Sequence, residues 1–132
     1  MILSNQAIVK KGFSMFRTLL QKFRDQYIIG QVQRAEIPAL PPDRVCRYRI
    51  TFSGRVQGVG FRFECFQLAQ ELGLTGFCEN QANGTVLGEF QGPENRIFCL
   101  LSFLDSLKRI VIEKSVMEEI PLIPGEKGFG CR

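Results

Sequence analysis

Residues 48–72 read YRITFSGRVQGVGFRFECFQLAQEL, and they contain a change of period. Tyr48, Ile50 and Phe52 alternate with Arg49, Thr51 and Ser53, the two-residue repeat of a half-buried strand. From Phe61 to Leu72 the repeat lengthens: Cys65, Leu68, Ala69 and Leu72 share one side of a helix, and Gly73 stops it. The strand and the helix are joined by the glycine-rich stretch Gly54-Arg55-Val56-Gln57-Gly58-Val59-Gly60.

Working outward, a short strand is expected over Thr75–Glu79, and Asn83-Gly84 marks a turn into a second strand over Thr85–Gln91. Gly92-Pro93 ends that strand, with Pro93 suited to a helix start. Ile97, Leu100, Leu101, Leu104 and Leu107 then mark an amphipathic helix. A strand-like run, Ile110–Ile120, leads through a loop over Pro121–Gly128 to a very short last strand at Phe129–Arg132. The order β-α-β-β-α-β predicts an α+β, ferredoxin-like fold: an antiparallel sheet with two helices on one face.

Upstream, Phe16, Leu19, Leu20, Phe23 and Tyr27 recur at helical spacing, which predicts an amphipathic helix over residues 13–29. Pro38, Pro41 and Pro42 make residues 37–42 an extended linker. The chain is therefore divided into an N-terminal extension, residues 1–46, and a domain, residues 47–132.

The 132 residues carry a net charge of +4. Residues 1–46 hold seven positive and three negative side chains, so they carry all of it; residues 47–132 hold ten of each. A neutral domain lacks the general attraction to phosphate expected of a nucleic-acid binder. Lys127-Gly128-Phe129-Gly130 resembles a ribonucleoprotein signature, but it lies at the wrong end of the element order. RNA binding is rejected. The basic helix at 13–29 has three possible readings: an accessory helix packed on the domain or partly disordered, a dimerisation helix, or a membrane-surface element. The first is the expectation, with the protein a monomer or weak dimer.

There is no His, which removes Ser-His and Cys-His nucleophile pairs, a His general base and His-ligated zinc. The five cysteines, 46, 65, 78, 99 and 131, form no CxxC and are odd in number. Reduced, mostly core thiols in a cytoplasmic protein are expected. No apolar run approaches the ~20 residues that span a bilayer.

Between strand and helix, Gly54, Gly58 and Gly60 let the backbone curl so that successive N–H groups converge on an anion, at the positive end of a helix dipole. Arg62 could close over that anion with two parallel hydrogen bonds. A tight βα turn with an exposed Arg fits the same residues. No GK[ST] follows, so a nucleotide P-loop is excluded.

GRVQGVGFR, residues 54–62, resembles the acylphosphatase signature, whose core is V-Q-G-V-x-F-R. Residues 76–92, GFCENQANGTVLGEFQG, resemble that family's second signature, in the right order and at the right spacing. The resemblance covers about residues 47–132. It implies hydrolysis of acyl phosphates without metal or other cofactor. Arg62 would be the catalytic phosphate-binding Arg, Gly54–Gly60 would donate backbone N–H groups to the phosphate, and Asn80 would orient the attacking water. On its own, Asn80 reads as an ordinary strand-end residue. Phe77 stands where many family members carry Trp, with little effect expected. The alternative is a non-catalytic phosphate- or anion-binding module, or a regulatory interaction domain, that keeps the loop.

Overall fold

The computed structural model describes residues 8–11, 40 and 42–132. The helix expected at 13–29 and most of the 37–42 linker lie outside these residues. The elements are β1 (Ile8–Lys11), β2 (Val45–Arg55), α1 (Phe61–Leu72), β3 (Thr75–Asn80), β4 (Val86–Pro93), α2 (Glu94–Ser106), β5 (Val111–Ile120) and β6 (Phe129–Cys131). They build one sheet in the order β1-β5-β2-β4-β3-β6.

The four inner strands, β5-β2-β4-β3, are antiparallel throughout and form the ferredoxin-like sheet. The two edges depart from the expectation. β6 runs parallel to β3, pairing Gly76 with Phe129 and Cys78 with Cys131. At the opposite edge, Ile8–Lys11 pair antiparallel with Lys114–Met117, so a strand from the N-terminal stretch extends the sheet. Four residues with one apolar pair give little periodicity to read, and this strand has no signal in the sequence.

The alternation in β2 sorts its side chains onto two faces. Tyr48, Ile50 and Phe52 are fully buried and join Val86 and Phe90 of β4 beneath α1 and α2. Phe52 centres an aromatic cluster, 4.9 Å from Phe61 and 6.4 Å from Phe90 between ring centroids. Phe90 in turn stacks on Phe129 at 5.5 Å, which ties the short β6 into the core.

On the other face lies a charged layer. Arg47 is 1% exposed and donates to Glu89 at 2.8 and 2.9 Å, to Gln91 at 3.1 Å and to Glu126 at 2.7 and 3.2 Å. Arg49 reaches the second oxygen of Glu89 at 3.0 Å. A guanidinium this deep must have its donors filled, and Glu126 fills two of them from the 121–128 loop. That contact brings the loop back across the sheet and delivers β6 to β3.

α2 begins after Pro93, which can donate no N–H and offers no side-chain cap. Asp43 caps the helix from a distance: its carboxylate accepts the Asn95 N–H at 3.0 Å and the Arg44 N–H at 2.8 Å. Arg44 pairs with Glu94 and Glu119 at 3.1 and 2.9 Å, and Tyr48 O–H donates to the same Glu94 carboxylate. Leu40 packs against the core.

Candidate active site

β2 runs two residues further than the loop expectation allows. Gly54 and Arg55 are still paired, with Ile112 and Val111, and the register slips between Ser53 and Gly54. Gly54 sits at φ +125, and a Cβ there would lie 2.2 Å from the Val111 carbonyl oxygen. Only glycine fits this bulge. The loop proper is therefore Val56–Gly60.

α1 starts from Gly60 in the left-handed conformation at φ 81, with no side-chain cap. The first helical bond is Glu64 N–H to the Gly60 carbonyl at 3.0 Å. The N–H groups of Phe61, Arg62 and Phe63 lie ahead of it, at the positive end of the helix dipole. Val56, Gly58, Gly60, Phe61, Arg62, Phe63 and Asn80 line one cleft of about 180 Å³. Thus Arg62 and Asn80, 18 residues apart in sequence, meet across the loop. Gly54, Arg55, Gln57 and Val59 are not among the lining residues.

Gln57 has a different task. Its side-chain amide donates to the carbonyls of Gln81 at 2.8 Å and Thr85 at 2.9 Å. Both amide hydrogens are spent on the β3–β4 turn, which fixes the loop relative to the end of β3, where Asn80 sits. Asn83 Oδ1 accepts from the Thr85 N–H and hydroxyl at 3.2 and 2.7 Å, closing that turn.

Arg109 carries no signal in the sequence, since nothing in its spacing marks it. From the α2–β5 connection its Nε donates to the Val59 carbonyl at 2.9 Å, and its Nη2 pairs with the buried Glu64. A trans peptide points its C=O and N–H in opposite directions. Holding the Val59 carbonyl on Arg109 therefore turns the Gly60 N–H the other way. Arg109 sets the orientation of a loop donor without entering the cleft.

Arg62 donates from Nη1 to the Arg132 carbonyl at 3.1 Å, which among the described residues leaves its other guanidinium N–H groups open to the cleft. Beneath it Cys65, Cys78 and Cys131 touch in sequence. The Cys78 thiol is held below its ordinary value, first by its hydrogen bond with Cys65, then by Cys131 and the Arg62 charge, against the opposing effect of burial. Burial pushes the neighbouring Cys65 thiol well up. The expectation of core thiols holds for Cys46, Cys65, Cys78 and Cys99; Cys131 is exposed.

Phe77, in the position where Trp was the alternative, is 8% exposed and lies under the Arg132 guanidinium, 3.7 Å from the ring centroid. Among the described residues no His, Cys, Asp and Glu side chains gather in threes to hold a metal ion, and no helix is long and apolar enough to cross a membrane.

The acylphosphatase family model matches residues 48–131, the stretch that contains the whole cleft. This chain belongs to the acylphosphatase family. It is an acylphosphatase-type hydrolase, acting on acid anhydrides. The acylphosphatase of Clostridium beijerinckii is 39% identical over 90 residues, which span 65% of this chain and 97% of that one. The fold agrees with the crystal structure of acylphosphatase from Bacillus subtilis: TM-score 0.61 at 28% identity, covering 67% of this chain and 99% of that one. It agrees equally with an acylphosphatase from Coxiella burnetii: TM-score 0.60 at 30% identity, covering 67% and 93%.

Proposed function

We propose that this acylphosphatase hydrolyses acyl phosphates to a carboxylate and inorganic phosphate, with Arg62 and the loop binding the phosphate and Asn80 placing the water. The observation that carries the assignment of roles is the single cleft shared by the Val56–Gly60 loop, the first turn of α1, Arg62 and Asn80.

An acyl phosphate is a mixed anhydride, and its leaving group is a carboxylate. It departs without a proton, so the absence of His removes nothing the reaction needs. Phosphoryl transfer depends on positioning and on stabilising charge spread over the equatorial oxygens. Backbone N–H groups of the loop and helix start supply fixed donors to those oxygens, and Arg62 adds a charged fork. The Asn80 amide holds water in line with the breaking P–O bond. It is no base at neutral pH, so the water's proton passes to a phosphoryl oxygen of the substrate as the new P–O bond forms. Turnover is accordingly independent of added metal.

The experiment is release of phosphate from acetyl phosphate and benzoyl phosphate in the presence of a chelator. Asn80→Ala and Arg62→Ala each lower kcat/KM by about 10³-fold or more. Wild-type turnover in either variant would remove that residue's role. Phosphate binding without turnover on any acyl phosphate would favour the alternative reading, a non-catalytic anion-binding module.

A further inference from the structure

Three of the five cysteines form a line from the core to the surface, directly under Arg62. Cys65 on α1 and Cys78 on β3 are fully buried, and Cys131 on β6 is exposed. Cys78 and Cys131 are 53 residues apart in sequence but are direct register partners in the parallel β3–β6 pair. Both thiols turn to the same oxygen, the Arg62 carbonyl, at 3.9 and 3.5 Å. They therefore lie on one face of the sheet. Adjacent strands stand ~4.8 Å apart, inside the Cα separation of about 4.4–6.8 Å that a disulfide spans. Cys46 and Cys99 differ: each is buried with its thiol pushed up to about 12 by burial, and neither faces another thiol.

β6 is a short strand that a covalent bond would fasten further. It has three residues and, among the described residues, it lies at the sheet edge and pairs with β3 alone. Its end also touches the site, because the Arg132 carbonyl accepts from the Arg62 guanidinium.

We propose that Cys78 and Cys131 are a thiol-oxidation site, at which a peroxide joins them as a disulfide that clasps β6 to β3 and holds Arg132 on Arg62. The exposed Cys131 sulfur attacks one peroxide oxygen. The O–O bond breaks, water leaves and Cys131 becomes a sulfenic acid. The Cys78 sulfur then attacks the sulfenic sulfur. The S–S bond forms, the S–O bond breaks, and hydroxide departs as water with the remaining thiol proton. Two thiols lose two electrons, and one peroxide is reduced to two waters. The order follows from access: Cys131 meets the peroxide at the surface, although burial and Cys78 hold its thiol above its ordinary value, and Cys78, fully buried beside it, is placed for the second step.

The test treats the reduced, full-length chain with hydrogen peroxide and digests it after glutamate without reductant. Glu71 lies between Cys65 and Cys78, so the two candidate partners fall in different peptides. The expected product is a Cys78–Cys131 cross-linked peptide two hydrogens lighter than its parts. Thermal unfolding rises by several degrees, and dithiothreitol reverses both changes. Cys131→Ser loses the cross-link and the shift, while Cys99→Ser keeps them. Inorganic phosphate, as probe of the cleft, binds the oxidised protein severalfold more tightly. Oxidation that stops at Cys131, a bond between two chains, or an unchanged Tm would overturn the clasp. Equal phosphate affinity in the two forms would overturn its hold on Arg62. That last arm rests on the phosphate-binding reading of Arg62. If neither form binds phosphate, that reading fails, while the cross-linked peptide still decides the oxidation site.

Discussion

Arg109 shapes the cleft from outside it. Its guanidinium is shared between the Val59 carbonyl and Glu64, so it joins the loop to the first turn of the helix that follows. Arg109→Met removes the hydrogen bond that aims the Gly60 peptide. The expected result is a rise of about tenfold in KM for acetyl phosphate, the equivalent of one lost charge-assisted bond, with a smaller change in kcat. Steady-state kinetics check it; unchanged KM would mean that the loop holds its shape unaided. The glycine-rich loop ahead of a helix made Arg62 a candidate, with an exposed turn Arg fitting the same residues, and the paired signatures favoured the first. Asn80 became a candidate only through the paired signatures, because an Asn at a strand end carries no charge or pattern of its own. Arg109 was legible in neither way. Its partners are 45 and 50 residues distant in sequence, and an Arg beside a Lys in a short connection resembles any solvated pair.

The elements reach their places through contacts that are remote along the chain. α2 has apolar periodicity but no cap of its own, and Asp43 supplies one. Asp43→Ala should destabilise the protein by about 1 kcal/mol, measured by urea denaturation, with acyl phosphate turnover unchanged. The 121–128 loop reads as a loop from Pro121, Pro124 and its glycines. Its path is set by Glu126 reaching Arg47. Arg47 is buried, and Glu89 is its closest ion-pair partner on the neighbouring strand, with Glu126 reaching in from the loop. Glu89→Gln keeps the shape and removes a charge from this layer. We expect a loss of roughly 3 kcal/mol, the scale of breaking one side of a buried pair. A loss below about 1 kcal/mol in chemical denaturation would show that Glu126 and Gln91 suffice for Arg47.

For the whole molecule, the charged layer predicts how stability responds to acid. Burial is the largest single influence on the Glu126 carboxyl and would raise it, but the hydrogen bonds from Arg47 and Thr75 and the charges of Arg47 and Arg132 together hold it below its ordinary value. Arg44 lowers Glu119 likewise. A carboxylate depressed in the folded state stabilises the fold above its unfolded pKa of about 4.3 and loses that contribution as pH falls through the folded value. With no imidazole to titrate, Tm should stay flat from about pH 5 to 7 and fall below about pH 4. A Tm that rises on acidification would contradict this. The charge partition also bears on the proposed site: a neutral domain would draw an anionic substrate by local donors, not by its overall field.

The amino-acid sequence by itself determined the inner four strands, both helices of the domain and the glycine-rich loop, because each depends on local periodicity and on backbone freedom at single glycines. Through its two signatures it also pointed to Arg62 and Asn80. Only the tertiary structure decided the rest. It added β1 at one sheet edge and set the expected last strand, β6, parallel to β3 at the other; it placed Gly54 and Arg55 in a bulged strand, and it gave Gln57, Asp43 and Arg109 their partners. Strand pairing at an edge and hydrogen bonds across tens of residues are fixed by which surfaces meet in space, and no period along the chain records that.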